Sequence, residues 1–213
     1  MRNISPSVLS ADFSVIQDQL NVIKKSGATR VHLDVMDGNF VPNLTFGPII
    51  IKSLDKLTDL HLETHLMINN PHKYLQEYID AGSDTLIFHY EASKNIIKDI
   101  ETIKNNDVLA GIAINPDTDH KDIIKYLDIL DYVLIMTVFP GFGGQKFIEK
   151  TLFTIKELSS FKIDKNFVLG VDGGVNMNTI DKVYEAGADI TIVGSALFGA
   201  DSISEQFKLL LNE

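Results

Sequence analysis

Short runs rich in Val, Ile and Leu alternate along the chain with longer segments whose apolar positions recur every three or four residues. This pattern predicts strands over residues 3–9, 30–35, 60–67, 85–88, 108–114, 132–136, 167–171 and 190–193. Helices are expected between and after them, over 14–26, 48–57, 71–81, 94–104, 121–127, 149–160, 176–186 and 203–211. About eight strand–helix pairs result, the count of a single (β/α)8 TIM barrel. Three helix-to-strand junctions share one logic: in Ser26-Gly27-Ala28, Ala81-Gly82-Ser83 and Ala186-Gly187-Ala188 a glycine can take the left-handed conformation that ends a helix. No Pro/Ser-rich linker or low-complexity tract interrupts the series, so one barrel domain over 1–213 is expected rather than a doubly wound sheet or two small domains.

Composition changes this picture little. Hydrophobic residues at 45% and charged residues at 23% suit a packed globular enzyme. No secretory leader and no long apolar span is visible, and a cytoplasmic location is expected. Cysteine is absent, so any metal must be held by imidazole or oxygen ligands. A net charge of −10 disfavours nucleic acid and anionic membranes as partners, since phosphate-backbone binding needs clustered Lys and Arg.

Strand alternation locates the candidate chemistry. In Val31-His32-Leu33-Asp34-Val35-Met36, the polar set His32 and Asp34 shares one face with Met36, and the apolar set shares the other. The apolar face should meet the helices. The polar face then points into the barrel near the strand's C-terminal end, where this architecture places active sites. His65 repeats the geometry in His65-Leu66-Met67, and Asp172 follows the apolar Phe167-Val168-Leu169. Two imidazoles and two carboxylates would form a mixed N/O site suited to Zn²⁺ or Fe²⁺, with Mn²⁺ or Co²⁺ also compatible. Any one of these groups taken alone is as readily a hydrogen-bonded core residue; four at strand ends are hard to explain as filling.

Glycines supply a second constellation: Gly141-Phe142-Gly143-Gly144 after the sixth strand, Gly173-Gly174 after the seventh, and Gly194-Ser195 after the eighth. These loops commonly hold phosphate in TIM barrels, because glycine lets backbone N–H groups approach an anion closely. A short helix beginning near Ser195 would add its dipole, so no lysine cluster is needed. Met36, Met67 and Met136 fall at inward positions near strand ends; core filling is the leading explanation, though a flexible thioether wall would also suit a pocket around a planar intermediate. His61, His72 and His120, at strand or helix starts, read as surface or capping residues, and His89 nearer the mouth stays open between a structural and a functional role.

Taken in order, Ser5-Pro6-Ser7-Val8-Leu9-Ser10-Ala11-Asp12-Phe13, His32-Leu33-Asp34-Val35-Met36-Asp37-Gly38, Val41-Pro42-Asn43, His65-Leu66-Met67, Pro140-Gly141-Phe142-Gly143-Gly144-Gln145 and Val171-Asp172-Gly173-Gly174-Val175 strongly resemble the ribulose-phosphate 3-epimerases. The resemblance spans nearly the whole chain. It implies that His32, Asp34, His65 and Asp172 bind one divalent ion per subunit, with Asp34 and Asp172 also the acid–base pair. By the resemblance Ser7 would touch the substrate; His32, His65 and Asp172, with Met36, Met67 and Met136 by their inward positions, are the further residues expected to meet it. Gly141, Phe142, Gly143, Gly144, Gly173, Gly174, Gly194 and Ser195 would line its phosphate end. A homo-oligomer acting on a small phosphorylated ketose, through an enediolate, is implied as well. Two positions depart from the family pattern: Phe139 stands where a polar or acidic residue is usual, and Gly170 where a glutamate commonly precedes Val171-Asp172.

Rival readings are of three kinds. A decarboxylase or aldolase on a similar barrel often carries Asp-x-Lys-x-x-Asp, and here Asp34-Val35-Met36-Asp37 has methionine at the lysine position. A 3-epimerase of a hexulose 6-phosphate such as allulose 6-phosphate would differ by one hydroxymethyl unit, worth ~1–3 kcal/mol of discrimination in a pocket. A non-catalytic phosphosugar-binding barrel would not need both candidate proton carriers.

Overall fold

The structure, a computed structural model, describes residues 2–212. Among these residues eight strands form one parallel sheet in the order β1-β8-β7-β6-β5-β4-β3-β2. They are β1 (Ile4–Pro6), β2 (Arg30–Met36), β3 (His61–Met67), β4 (Thr85–His89), β5 (Leu109–Ile114), β6 (Tyr132–Met136), β7 (Val168–Asp172) and β8 (Ile190–Val193). The two ends of the sheet meet through a parallel bridge between Ser7 and His32, which turns the sheet into a TIM barrel. Around it lie α1 (Ile16–Lys25), α2 (Pro48–Leu57), α3 (Leu75–Ile79), α4 (Ile96–Lys104), α5 (Thr151–Ser160), α6 (Ile180–Glu185), α7 (Ser195–Phe198) and α8 (Ile203–Leu211).

Alternation divides the core as expected. Outward residues such as Val31, Leu33, Val35, Leu66, Phe88 and Val171 pack beneath the helices with Leu20, Ile23, Leu54 and Ile155. Inside the barrel a smaller cluster holds Ile87, Tyr132, Leu134, Ile190 and Ile192. Met36 and Met67 form a third cluster with Val41. The three junction glycines, Gly27, Gly82 and Gly187, all have φ between 101° and 106°, a backbone conformation that side chains resist.

Several expected elements are shorter or of another kind. The first strand ends at Pro6, because the Ser7 hydroxyl accepts from Leu9 N–H at 3.3 Å and caps a 3-10 turn at Val8–Ser10. The helix expected over 121–127 is instead a pair of 3-10 turns, His120–Asp122 and Ile124–Tyr126. Asp119 caps the first by accepting from Lys121 N–H, and Ile123 and Leu127 reach the core without a full α-turn between them. The segment 71–81 begins as a 3-10 turn at Pro71–Lys73 before α3, and α6 starts only at Ile180, because the Thr179 hydroxyl accepts from Asn176 N–H and ties 176–179 into a turn. His120 is not a surface residue: it is 8% exposed, edge-on to the Phe153 ring.

Candidate active site

Register brings the first wall of the site together. β2 and β3 pair so that Asp34 lies beside His65, and Met36 beside Met67. His32 and Asp34 are two residues apart and therefore share the inner face of β2. Asp172 ends β7, beside Met136 of β6. From β2 to β7 the closed sheet passes through two strands one way and four the other, so Asp34 and Asp172 face each other across the barrel. His32 Nε2 lies 3.3 Å from His65 Nδ1 and 3.5 Å from Asp34 Oδ1. His65 Nδ1 lies 3.3 Å from Asp34 Oδ1 and 3.9 Å from Asp172 Oδ2.

One donor atom from each of His32, Asp34, His65 and Asp172 falls within 4.8 Å of the others, a set that could hold a metal ion. Among His32, Asp34 and His65 the spacing of 3.3–3.5 Å fits a small divalent cation, because ligand bonds of about 2.0–2.2 Å in a tetrahedral site put donors roughly 3.3–3.6 Å apart; Asp172 stands further out, 3.9 Å from His65. The chemistry fits one too, since two carboxylates and two imidazoles are the oxygen and nitrogen donors that a borderline divalent cation takes.

Electrostatics sets the two carboxyls apart. Burial alone would raise Asp34, but the imidazoles of His32 and His65 and the Ser7 hydroxyl hold it well below the usual carboxylate range. Ser7 donates to Asp34 Oδ2 at 2.5 Å. Asp172 has less help: burial and the negative charge of Asp34 outweigh the pull of His32 and push it up to about 7. Burial would lower His32, yet the surrounding negative charges of Asp34, Glu63 and Asp172 raise it to about 9. His65 falls to about 3, chiefly through burial, with the neighbouring His89 and His32 adding to the effect against Asp34.

Each imidazole also has a partner on its far side, and alternation along β3 and β4 contained the signal for both. Glu63 is inward and fully buried, with Oε2 3.7 Å from His32 Nδ1; Arg30 and Ser5 hold its carboxylate at 2.7 Å and 2.5 Å. His89 is fully buried at the end of β4, with Nε2 2.9 Å from His65 Nε2, and Glu91 lies behind it.

The mouth above the cluster is a cavity lined by the side chains of Ser7, Asp34, Met36, Met67, Met136 and Asp172, and by the loop residues Gly141, Phe142, Gly143, Gly144, Gly173, Gly174, Gly194 and Ser195. His32 and His65 stand behind this lining. Leu9, Ser10, Val138, Val175 and Ile192 also line it, most of them from loops that strand alternation does not reach. The close approach at Gly174 is specific: with φ +66°, any Cβ there would come within 2.7 Å of Phe147 N and 2.9 Å of Gln145 O. Of the two departures, Phe139 points its half-exposed ring outside the cavity lining, while its carbonyl accepts from Gln145 Nε2 at 2.7 Å. Gly170 leaves room for Tyr132, whose hydroxyl would sit 2.3 Å from a Cβ at that position.

Residues 3–198 match the family model described as the ribulose-phosphate 3 epimerase family. The chain belongs to that family. It is 45% identical over 202 residues to a ribulose-phosphate 3-epimerase of Bacillus subtilis, covering 93% of each chain. The corresponding protein of Aquifex aeolicus is 39% identical, over 99% of this chain and 96% of its own. A ribulose-5-phosphate-3-epimerase of Arabidopsis thaliana, named as chloroplastic, is 42% identical over 96% of this chain and 74% of its own. Among solved structures, the 3-hexulose-6-phosphate synthase of Salmonella typhimurium superposes with a TM-score of 0.71 at 16% identity, covering 99% of this chain and 98% of its own. A tryptophan synthase α-subunit from Pyrococcus furiosus gives 0.73 at 12%, with the same coverage. These two share the barrel alone. As an epimerase-family member the chain is an enzyme of the isomerase class, and among its described residues no helix is long and apolar enough to cross a membrane.

Proposed function

We propose that this epimerase interconverts D-ribulose 5-phosphate and D-xylulose 5-phosphate by proton transfer at carbon 3, with Asp34 and Asp172 as the two proton carriers. The observation that carries the reading is that these carboxyls come from opposite walls of the barrel into one cavity. Inverting a carbon beside a carbonyl requires a proton to leave one face and another to arrive on the opposite face. Asp34, kept ionised by its imidazole neighbours and Ser7, would accept the proton leaving one face, and Asp172 across the cavity would deliver one to the other. In the reverse direction the roles exchange. The Ser7 hydroxyl fixes the rotamer of Asp34 and lies on the cavity lining, within reach of substrate.

His32, Asp34, His65 and Asp172 would hold one divalent ion per subunit, Zn²⁺ or Fe²⁺ first among the candidates and Mn²⁺ or Co²⁺ next. Such an ion supplies a positive charge that stabilises the negative charge developing on the ketose oxygens. The loops at Gly141–Gly144, Gly173, Gly174, Gly194 and Ser195 would take the phosphate on backbone N–H groups, anchoring the sugar so that carbon 3 stays between the carboxyls. Phe142, half-exposed on the first of these loops, would cover the bound sugar, and Met36, Met67 and Met136 would form the apolar wall beside its reacting carbons. The reading extends to a homo-oligomeric, cytoplasmic enzyme in which the whole chain is one catalytic domain.

Incubation with ribulose 5-phosphate in D₂O tests it: xylulose 5-phosphate should form with deuterium at carbon 3. Binding without exchange would reduce the protein to a phosphosugar carrier, and faster turnover of allulose 6-phosphate would move its preference to a hexulose.

A further inference from the structure

Behind the cluster, a chain of polar groups runs from His65 to the protein surface. His65 Nε2 and His89 Nε2 are 2.9 Å apart, both rings fully buried and nearly stacked, with centroids 5.0 Å apart and planes at 23°. His89 Nδ1 then lies 3.1 Å from Glu91 Oε2. The other oxygen of Glu91 is already engaged, accepting from the backbone N–H of Asn115 at 2.8 Å and from the Thr118 hydroxyl. The Phe40 ring packs on His89 with centroids 4.8 Å apart, so the imidazole has little freedom to turn over.

These contacts impose an order on the protons. A carboxylate only accepts, so His89 must donate through Nδ1. With one proton per ring, His89 Nε2 is then bare and must accept, and the 2.9 Å contact requires His65 to donate through Nε2. The proton of His65 is thereby held on the far side of its ring. Its Nδ1 lone pair is left facing Asp34, Asp172 and His32, the direction in which a bound cation would need it. A neutral imidazole has no other way to keep Nδ1 open, and the opposite tautomer would aim an N–H bond at the ion.

We propose that His89 and Glu91 are positioning residues of the site, a relay anchored on the loop after β5 that locks His65 in its Nδ1-ligating tautomer. The proposal rests on the metal-site reading given above. Backing groups of this kind typically change metal affinity by about 10–100-fold when removed.

The test uses full-length protein loaded with Zn²⁺, its affinity measured by competition with a chromophoric chelator. The tautomer of His65 is read from long-range ¹⁵N–¹H correlations of the imidazoles. His89→Phe, which keeps the volume and the packing on Phe40 but offers no acceptor, should weaken Zn²⁺ by about 10–100-fold. His89→Gln, which places an amide oxygen near the former Nε2, should recover most of that loss. Glu91→Ala should give a smaller loss and a mixed His65 tautomer, with the thermal unfolding midpoint little changed. Unaltered affinity and an unaltered His65 tautomer in His89→Phe would overturn the relay while leaving the metal site standing. If His65→Ala itself leaves Zn²⁺ affinity unchanged, the metal-site reading falls and takes the relay with it.

Discussion

On the β2–β3 side of the mouth the site is made of side chains: His32, Asp34 and His65 project from strand interiors, and their positions follow from a seven-residue register match. On the β6–β8 side it is made mostly of backbone, with Asp172 the titratable side chain of the lining and glycines in each following loop. The first wall is rigid because each ligand is flanked by paired strand residues. The second acquires its shape from turns, and Gly174 nearly touches the backbone at Phe147. The first wall should therefore fail when a side chain is removed, and the second when one is added.

The largest effect is expected where the two walls are most alike. Asp34→Asn and Asp172→Asn should each lower kcat by about 10²–10⁴-fold, the usual worth of a general acid or base, with little change in circular dichroism. Substantial turnover in either would break the division of labour between the carboxyls. Next, Gly174→Ala should raise KM by about tenfold with a smaller effect on kcat, because the new methyl displaces the loop that would hold phosphate. An unchanged KM would show that the second wall is not made of backbone in the sense proposed.

Metal affinity should also depend on pH, in a direction set by the first wall and Asp172 together. Without the ion, His32 is pushed up to about 9 and Asp172 to about 7, so both hold protons that an ion must displace. Affinity for Zn²⁺ should rise between about pH 6 and 8, with proton release visible as a buffer-dependent binding enthalpy. Chelation should abolish turnover and re-addition restore it. The smallest effect belongs to Phe139→Asp: its ring lies outside the cavity lining and only its carbonyl is used, so stability should shift by less than about 0.5 kcal/mol in chemical denaturation and KM should hold.

The strand–helix alternation was legible along the chain because apolar period is a local property. So was the inward aim of His32 and Asp34, two positions apart on a strand whose opposite face is wholly apolar. The convergence of His65 and Asp172 on them was expected from strand ends meeting at one mouth, but not the register that sets Asp34 beside His65, which depends on residues about thirty positions apart in the chain. The backing carboxylates escaped for a different reason. Glu63 obeys the same alternation as His65, but a buried carboxylate is expected only once its partners are known, and Arg30 and Ser5 come from other strands. Glu91 lies just past a strand end, where alternation no longer applies. The segment 121–127 has helical spacing at Ile123 and Leu127, and that spacing cannot tell an α-helix from successive 3-10 turns in so short a connection.

The bridge from Ser7 to His32 has a temporal meaning as well. Ser7 pairs with His32 on one side, and on the other its N–H is bonded to the carbonyl of Val193, far along the chain. The hydroxyl that steadies Asp34 therefore reaches its place only when β8 has docked against β1. A barrel whose seam is still open carries its donors on β2 and β3 and lacks the brace on its base, so competence arrives at the moment the circle of strands is joined.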